Sequence, residues 1–135
     1  MKIRKLQLLT YFLVFLTFGL SAQTSKTVNV TTQGTLKNLV STSEAKTVTT
    51  LTLSGSIDAR DIAYIRDNLK VVSTLYLYST SIKSYTGSDG TNTGINTTYP
   101  ANEIPIYALY NPYLYTYKST LTSLTLPSSV MLVMI

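Results

Sequence analysis

The sequence contains no cysteine, no histidine and no tryptophan. Because thiol and imidazole groups are both missing, the chain cannot build a thiol nucleophile, a Ser–His–Asp triad or the usual zinc sites. The lack of cysteine also means that an exported form of the chain would fold without disulfide bonds. These absences exclude the commonest catalytic and metal centres.

Acidic residues are scarce as well, with six Asp and Glu among the 135 residues. A pair of catalytic carboxylates, as in glycosidases, would have to come from residues such as Asp58 and Asp61. Their position at the start of a predicted helix favours capping of that helix instead. Asp89 and Asn92 lie in a glycine-rich loop and supply too few oxygen ligands for calcium. We therefore predict that the protein is not an enzyme and uses no metal or cofactor.

Residues 1–22 have the three-part order of a secretory signal peptide. Basic residues in Met1–Lys5 come first, the apolar run Leu6–Leu20 follows, and the small residues Ser21 and Ala22 close it. A membrane anchor is the alternative, but a spanning helix needs about 20 apolar residues and this run is shorter. We expect a secreted or cell-surface protein that has no membrane span once the signal is removed.

The charge of the chain offers little support for nucleic-acid binding. The formal net charge is +5, but three of the eleven basic residues fall within Met1–Lys5. Beyond the signal, eight basic residues face six acidic ones, a net charge of +2, and they are scattered along the chain. A nucleic-acid interface needs a clustered basic face. We therefore expect no nucleic-acid partner.

A repeated pattern runs through residues 48–130. Val48–Ile57, Val72–Ile82 and Leu121–Val130 each read apolar-x-x-Leu-x-Leu, then a short polar stretch, then Ile or Val. The second block begins 24 residues after the first, and the third begins 49 residues after the second. A period in the twenties with this pattern is typical of leucine-rich repeats. Ordinary amphipathic strands in an antiparallel sandwich are the alternative.

The spacing of the leucines gives the pattern its structural meaning. Two leucines separated by one residue point to the same face of a strand, so Thr52, Tyr76 and Thr125 point to the other, concave face. One repeat cannot cover its own leucines, but the next repeat stacked beside it can. The predicted fold is therefore an α/β repeat, a leucine-rich-repeat solenoid fragment with short parallel strands and irregular or helical convex segments.

The segments around the first repeats can also be interpreted. Ile62, Ile65 and Leu69 form one apolar stripe and predict a helix that Asp58 or Asp61 caps. Residues 23–47 are predicted to be an N-terminal capping segment. It combines a strand and a short helix, namely Thr27–Val30 and Gly34–Val40.

Residues 83–118 interrupt the rhythm and are predicted to be an expanded repeat. The composition of Thr86–Gly94 indicates a flexible loop. The two prolines of Tyr99–Pro105 predict an extended segment, because each disfavours helix at the residue before it. Ile106–Pro112 is predicted to form a short turn of helix on the convex side.

Several segments together carry a family resemblance across most of residues 23–130. They are Ser21–Gln23, Gly34–Leu39, Leu51–Asp61, Arg66–Asn68, Tyr99–Pro105 and, as the most specific, Leu121–Val130. In these segments the chain resembles the BspA-like leucine-rich-repeat proteins, exported or surface proteins of Bacteroides-type bacteria. The resemblance implies a solenoid, surface exposure and a binding or adhesive role. It implies no catalytic residues and no particular ligand.

The resemblance ends at residues 131–135, where such proteins continue into further repeats. The last five residues, Met-Leu-Val-Met-Ile, form an aberrant apolar tail instead. Since a solenoid needs a polar terminal cap, we expect the chain to be a truncated or frameshifted product of a longer gene.

Tyrosines supply the candidate binding surface, because tyrosine combines a broad apolar ring with a polar tip. Tyr113, Tyr115 and Tyr117 alternate and would share one side of an extended segment. The full candidate set is Tyr76, Tyr78, Tyr107, Tyr110, Tyr113, Tyr115 and Tyr117. We expect binding or adhesion to an unknown protein or glycan at the cell surface. The alternatives are a carbohydrate-binding accessory β-domain that uses the tyrosine-rich stretch, and a truncated remnant without function.

Overall fold

A computed structural model describes residues 22–131. Residues 1–21, which carry nearly all of the predicted signal peptide, and residues 132–135 of the apolar tail lie outside the described residues. The elements of the described part are β1 (Thr24–Val30), α1 (Leu36–Leu39), a 3-10 turn (Glu44–Lys46), β2 (Val48–Ile57), α2 (Ala59–Asn68), β3 (Thr74–Ile82), β4 (Tyr85–Gly87), β5 (Thr97–Tyr99), β6 (Tyr110–Asn111), β7 (Thr116–Tyr117) and β8 (Ser123–Thr125).

Four of these strands form one parallel sheet in the order β1-β2-β3-β8. The register aligns Leu51 with Leu75 and Leu75 with Leu124. The prediction of parallel strands built on the leucine pattern is therefore confirmed, and the alternative of an antiparallel sandwich is wrong for these strands. The protein is an α/β domain.

The apolar core lies between the inner face of this sheet and α2. Leu51, Leu53, Leu75 and Leu77 from the strands are buried against Ile62 and other helix residues. Full burial of a leucine or isoleucine side chain contributes roughly 1.5–3 kcal/mol relative to leaving it in water. Burial of these side chains between the sheet and α2 therefore contributes much of the stability of this part of the chain.

The predicted helix runs from Ala59 to Asn68, and its N-terminus has a complete capping box. The Asp58 carboxylate accepts a hydrogen bond from the Arg60 backbone N–H at 2.8 Å. The Asp61 carboxylate accepts one from the Asp58 backbone N–H at 3.0 Å. The capping role predicted for these two acids is therefore confirmed.

The segment from 83 to 118 differs from its predicted form. It contains two antiparallel ribbons, β4 with β5 and β6 with β7, neither of which the sequence predicted. The helical turn predicted at Ile106–Pro112 is wrong: residues 106–109 form turns and bends, Tyr110–Asn111 is strand β6, and Tyr107 has φ +60°. The extended segment predicted at Tyr99–Pro105 is wrong beyond Tyr99, because the chain turns at Asn102 with φ +59°. Asn tolerates this left-handed conformation better than most residues, so it can end the strand.

Among residues 22–131, no helix is both long enough and apolar enough to cross a membrane.

Candidate functional site

The outer face of the parallel sheet carries rows of small polar side chains. Parallel pairing places residues of the same kind side by side across the strands. One row is Ser25, Thr50, Thr74 and Ser123; a second is Thr27, Thr52, Tyr76 and Thr125; a third is Asn29, Ser54 and Ser79. None of these side chains carries a charge, and each offers a hydroxyl or amide group. This face can accept and donate hydrogen bonds without the desolvation cost of an ion.

A bulge in β3 modifies this face near its centre. Thr52 pairs with Tyr76 and Ser54 with Ser79, so β3 holds one extra residue there. As a result, Tyr78 and Ser79 are both exposed although they are consecutive. The Thr80 hydroxyl, which is buried, donates to the Leu77 carbonyl at 2.7 Å beside this irregularity. Bulges of this kind often redirect a side chain next to a binding site.

Tyr76 and Tyr78 lie together on the outer face of the sheet, which is the face that the sequence predicted for Tyr76. Their rings are 6.1 Å apart and meet edge to face at 64°, while Leu77 between them is buried. Tyr78 is 57% exposed and Tyr76 is half-buried. The two rings form a small aromatic platform within the hydroxyl rows.

Gly55 allows neighbouring strands to approach beside this platform. Its φ is +88°, and a Cβ atom there would lie 2.3 Å from the carbonyl oxygen of Val30. Any other residue would therefore separate β1 from β2 or strain the backbone.

The other candidate tyrosines lie in the β6–β7 hairpin and just before it. The rings of Tyr110 and Tyr117 are 4.7 Å apart, and those of Tyr107 and Tyr110 are 6.1 Å apart. Tyr113 and Tyr115 lie in the turn, so the prediction that they share one side of an extended segment with Tyr117 is wrong. The exposed fractions of Tyr113, Tyr115 and Tyr117 are 79%, 80% and 74%.

The Asn111 side chain determines the shape of this turn. Its Oδ1 accepts hydrogen bonds from the backbone N–H groups of Tyr113 and Leu114, both at 3.0 Å. Tyr115 then adopts φ +54°. Because these hydrogen bonds fold the backbone into a turn, the segment does not continue as the extended strand that the sequence predicted.

Arg66 attaches the 83–118 segment to α2, and sequence reasoning missed this role. Its Nη1 donates to the carbonyls of Thr91 at 2.7 Å, Tyr107 at 2.8 Å and Tyr110 at 3.1 Å. Its Nε and Nη2 form a two-pronged ion pair with Asp67 at 2.8 and 2.7 Å. The side chain is almost wholly buried. Planar guanidinium groups satisfy several acceptors in this way.

Lys118 is a second buried cation that holds the segment. Its ammonium donates to the Leu69 carbonyl at the end of α2 and to the Thr120 hydroxyl. Burial, together with the charge of Lys70, lowers the pKa of Lys118 to about 8. Both lysines line a cleft of about 250 Å³ beside the hairpin. This places unneutralised positive charge next to exposed aromatic rings.

The carboxylates near the start of α2 are fully engaged in structure. Asp61 accepts from the backbone N–H groups of Gly34 at 2.7 Å and Leu36 at 3.0 Å, as well as from Asp58. Burial raises the pKa of Asp61, and these three hydrogen bonds partly oppose the rise. The Arg60 side chain bonds to both Asp58 oxygens. The pair therefore joins the β1–α1 connection and the start of α1 to α2.

In the loop that contains Asp89 and Asn92, Asn92 forms hydrogen bonds within the protein. The Asn92 amide donates to the Thr97 hydroxyl at 3.1 Å, and its backbone N–H donates to the Tyr99 hydroxyl at 2.8 Å. Within residues 22–131, no three or more acidic residues gather in a group that fits a metal ion.

No protein-family model matches the chain, and no curated protein matches it.

Proposed function

We propose that the protein is an exported leucine-rich-repeat protein that binds or adheres to a partner protein at the cell surface. The observation that supports this proposal best is the in-register row of Thr27, Thr52, Tyr76 and Thr125 on the outer sheet face. In a repeat protein, such a row creates an extended binding surface from equivalent positions of successive units.

The chemistry of this face suits a protein partner. Tyrosines at the centre of an interface provide large contact areas, and surrounding small polar side chains exclude water and complete hydrogen bonds. Tyr76 and Tyr78 are such anchors, since their rings pack on each other and leave Tyr78 largely exposed. Because the rows carry no charge, we expect binding to depend weakly on salt.

The leucine-rich-repeat assignment itself depends on sequence and register together. The 24-residue offset between the first two blocks equals the offset between paired residues, as in Thr50 with Thr74 and Leu51 with Leu75. The signal-like order of residues 1–22 supports export. The resemblance to BspA-like proteins agrees with both features.

A panel of purified extracellular-matrix proteins, immobilised on a surface, tests this function. We expect the exported protein to bind at least one of them and Y76A/Y78A to lose that binding. The matched control is Y113A/Y115A, which removes two more exposed rings in the β6–β7 turn, outside the sheet face. Binding lost only in the control pair, or no binding to any matrix protein, would contradict the sheet-face proposal.

A second candidate function is carbohydrate binding by the tyrosine hairpin. It is favoured by the high exposure of Tyr113, Tyr115 and Tyr117, which leaves ring surface available to stack on sugar rings. Here Y113A/Y115A/Y117A would lose binding on a glycan array and Y76A/Y78A would keep it. These two sets of substitutions therefore separate the two functions.

A further inference from the structure

The cleft between the hairpin and the end of α2 combines positive charge, hydroxyl groups and an aromatic ring. We call it the hairpin cleft; its lining residues are Arg66, Asp67, Lys70, Leu114, Thr116, Tyr117, Lys118, Ser119 and Thr120. Three of these residues are cationic and one is anionic, so the lining has a net charge of +2. Clefts of one sign concentrate ligands of the opposite sign.

The single acid in the hairpin cleft is already neutralised. Both Asp67 oxygens bond to Arg66, and one of them also accepts from the Asn111 amide at 2.9 Å. The excess positive charge of the hairpin cleft therefore comes from Lys70 and Lys118. Among residues 22–131, neither lysine has a carboxylate within ion-pair distance.

The two lysines repel each other in the absence of a ligand. Lys118 uses its ammonium to bond Leu69 and Thr120, which leaves one of three N–H groups for a further acceptor. Lys70 is exposed and close enough to disfavour the charged form of Lys118. An anion near both ammonium groups would relieve this repulsion, because an opposite charge stabilises each charged form.

The remaining lining residues indicate what the anion is attached to. Tyr117 offers a ring that is 74% exposed, and Thr116, Ser119 and Thr120 add hydroxyl groups. A ring face beside hydroxyl groups suits a sugar, which has both apolar C–H faces and hydroxyls. The volume of about 250 Å³ is below the roughly 300–1,000 Å³ of most ligand pockets, which favours a group of about one sugar residue.

We propose that the hairpin cleft binds one anionic sugar residue, a uronate or a sulfated sugar. The carboxylate or sulfate lies between Lys70 and Lys118, and the sugar ring stacks on Tyr117. This proposal refines the carbohydrate candidate and rests on it. It uses none of the residues of the sheet face, which lie on the opposite side of the sheet from α2.

Isothermal titration calorimetry of the exported protein tests the proposal with three trisaccharides. They are a galacturonate, a sulfated galactose and a neutral galactose trisaccharide, and the first two arms distinguish the two sources of charge. We expect at least one charged trisaccharide to bind roughly tenfold or more tightly than the neutral one. Equal binding of all three would overturn the anionic-sugar assignment but leave the carbohydrate candidate standing. No binding of any sugar would overturn both.

Two further probes separate a sugar site from a bare anion site. Sodium sulfate alone and a hexaglutamate peptide should each bind more weakly than the charged trisaccharide. If sulfate binds as tightly, the cleft is only an anion site, and if hexaglutamate does, its partner is an acidic peptide. Either result overturns the proposal.

Variants then locate the binding. Lys70→Gln should weaken binding of the charged trisaccharide roughly tenfold and leave the fold intact, because Lys70 is exposed. Lys83→Gln is the matched control, an exposed lysine beyond the far end of β3, and should bind normally. Equal effects of the two substitutions would show that overall charge, and not the cleft, attracts the ligand.

The pH dependence gives an independent readout of Lys118. Arg66, Asp67, Lys70 and Tyr117 are the titratable groups that share the cleft with it. Since the pKa of Lys118 is about 8 without ligand, affinity for the charged trisaccharide should fall as the pH rises above 8. Affinity that stays constant between pH 7 and pH 9 would exclude a charged Lys118 from the site.

Discussion

The sheet stack, residues 24–82 with β8, buries leucine, isoleucine and valine between its strands and α2, whereas the 83–118 segment fully buries one large apolar side chain, Tyr99. Ile104 and Ala108 of this segment pack against the core, and polar contacts hold the rest of it. Arg66 donates to three of its backbone carbonyls, and Lys118 bonds back to the end of α2. The two regions therefore differ in the interactions that stabilise them against local unfolding.

This difference has consequences for stability and for binding. Apolar contacts are non-directional and tolerate moderate changes of side chain. When a buried cation that donates to several carbonyls is removed, all of its hydrogen bonds are lost together. The polar attachment also leaves Tyr113, Tyr115 and Tyr117 at the surface of the segment, since they have no core to enter. The region with less core thus offers the more chemically varied surface.

The largest effect is expected from Arg66→Met, which tests whether the 83–118 segment opens independently of the sheet. The change leaves three carbonyls and the Asp67 carboxylate without their partner. The free energy of local opening should fall by roughly 3–5 kcal/mol, as for other broken buried ion pairs. Amide hydrogen exchange should accelerate in residues 88–118 and remain slow in β2 and β3.

Arg60→Met is the matched control on the same helix. The Arg60 side chain is about one-third exposed, bonds to the Asp58 carboxylate and lies 4.5 Å from the ring centre of Tyr85. Its loss should cost roughly 1 kcal/mol, within the range of partly exposed pairs. If amide hydrogen exchange in the Arg66→Met variant accelerated equally in all strands, the two regions would unfold as one unit.

A second prediction compares two leucines in one row of the sheet. Leu51 is fully buried in β2, whereas Leu124 in β8 is 38% exposed. Leu51→Ala should lower the free energy of unfolding by roughly 3 kcal/mol through lost burial and a cavity. Leu124→Ala should cost roughly 1 kcal/mol, because little cavity forms at a half-open position. Urea unfolding of both variants measures the difference, and equal losses would refute the stacking account.

A third prediction concerns the junction between β1, α1 and α2. Asp61→Asn replaces one of two oxygens that accept three backbone N–H groups with a donor. We expect a loss of roughly 2 kcal/mol, since a buried donor then faces another donor. Asp89→Asn makes the same chemical change at an exposed loop position and should have almost no effect on urea unfolding. If Asp61→Asn lowered the free energy of unfolding no more than Asp89→Asn does, Asp61 would not hold the junction.

The sheet stack could be predicted from sequence because its signals are local and repeated. Leu51 and Leu75 lie at equivalent positions of two blocks, and Asp58 precedes the apolar stripe that it caps. Each signal needs only neighbouring residues or one fixed period. The β3 bulge was not predictable in the same way, because nothing in the spacing of Tyr76 and Tyr78 indicates an extra residue.

The 83–118 segment resisted prediction because its contacts are distant in sequence and polar. Arg66 bonds to Tyr107 and Tyr110, and Lys118 bonds to Leu69, across more than forty residues. A lone arginine on a helix is usually solvated, so its sequence carried no sign of this role. The alternating tyrosines predicted an extended strand, but Asn111 turned the chain first. Prediction from local sequence patterns fails where side-chain hydrogen bonds take the place of the regular backbone hydrogen bonds of a sheet.

A pH-dependent effect on stability is expected from Lys118. The fold lowers its pKa to about 8, below that of a lysine in the unfolded chain near 10.4. Between these values the unfolded chain binds more protons than the native one, so native stability should rise as the pH increases from 8 toward 10.5. Arg66, Asp67, Lys70 and Tyr117 share the cleft with Lys118.

Comparison with Lys118→Met isolates this contribution. The variant removes the titrating group, so its opening free energy should lack the rise above pH 8 that the natural chain shows. Hydrogen exchange in residues 107–118, corrected for the intrinsic pH dependence of exchange, measures both. A parallel pH response in the two proteins would mean that Lys118 keeps its ordinary pKa. Lys118 would then be solvated rather than buried, and Arg66 would be left as the one buried cation that holds the 83–118 segment among residues 22–131.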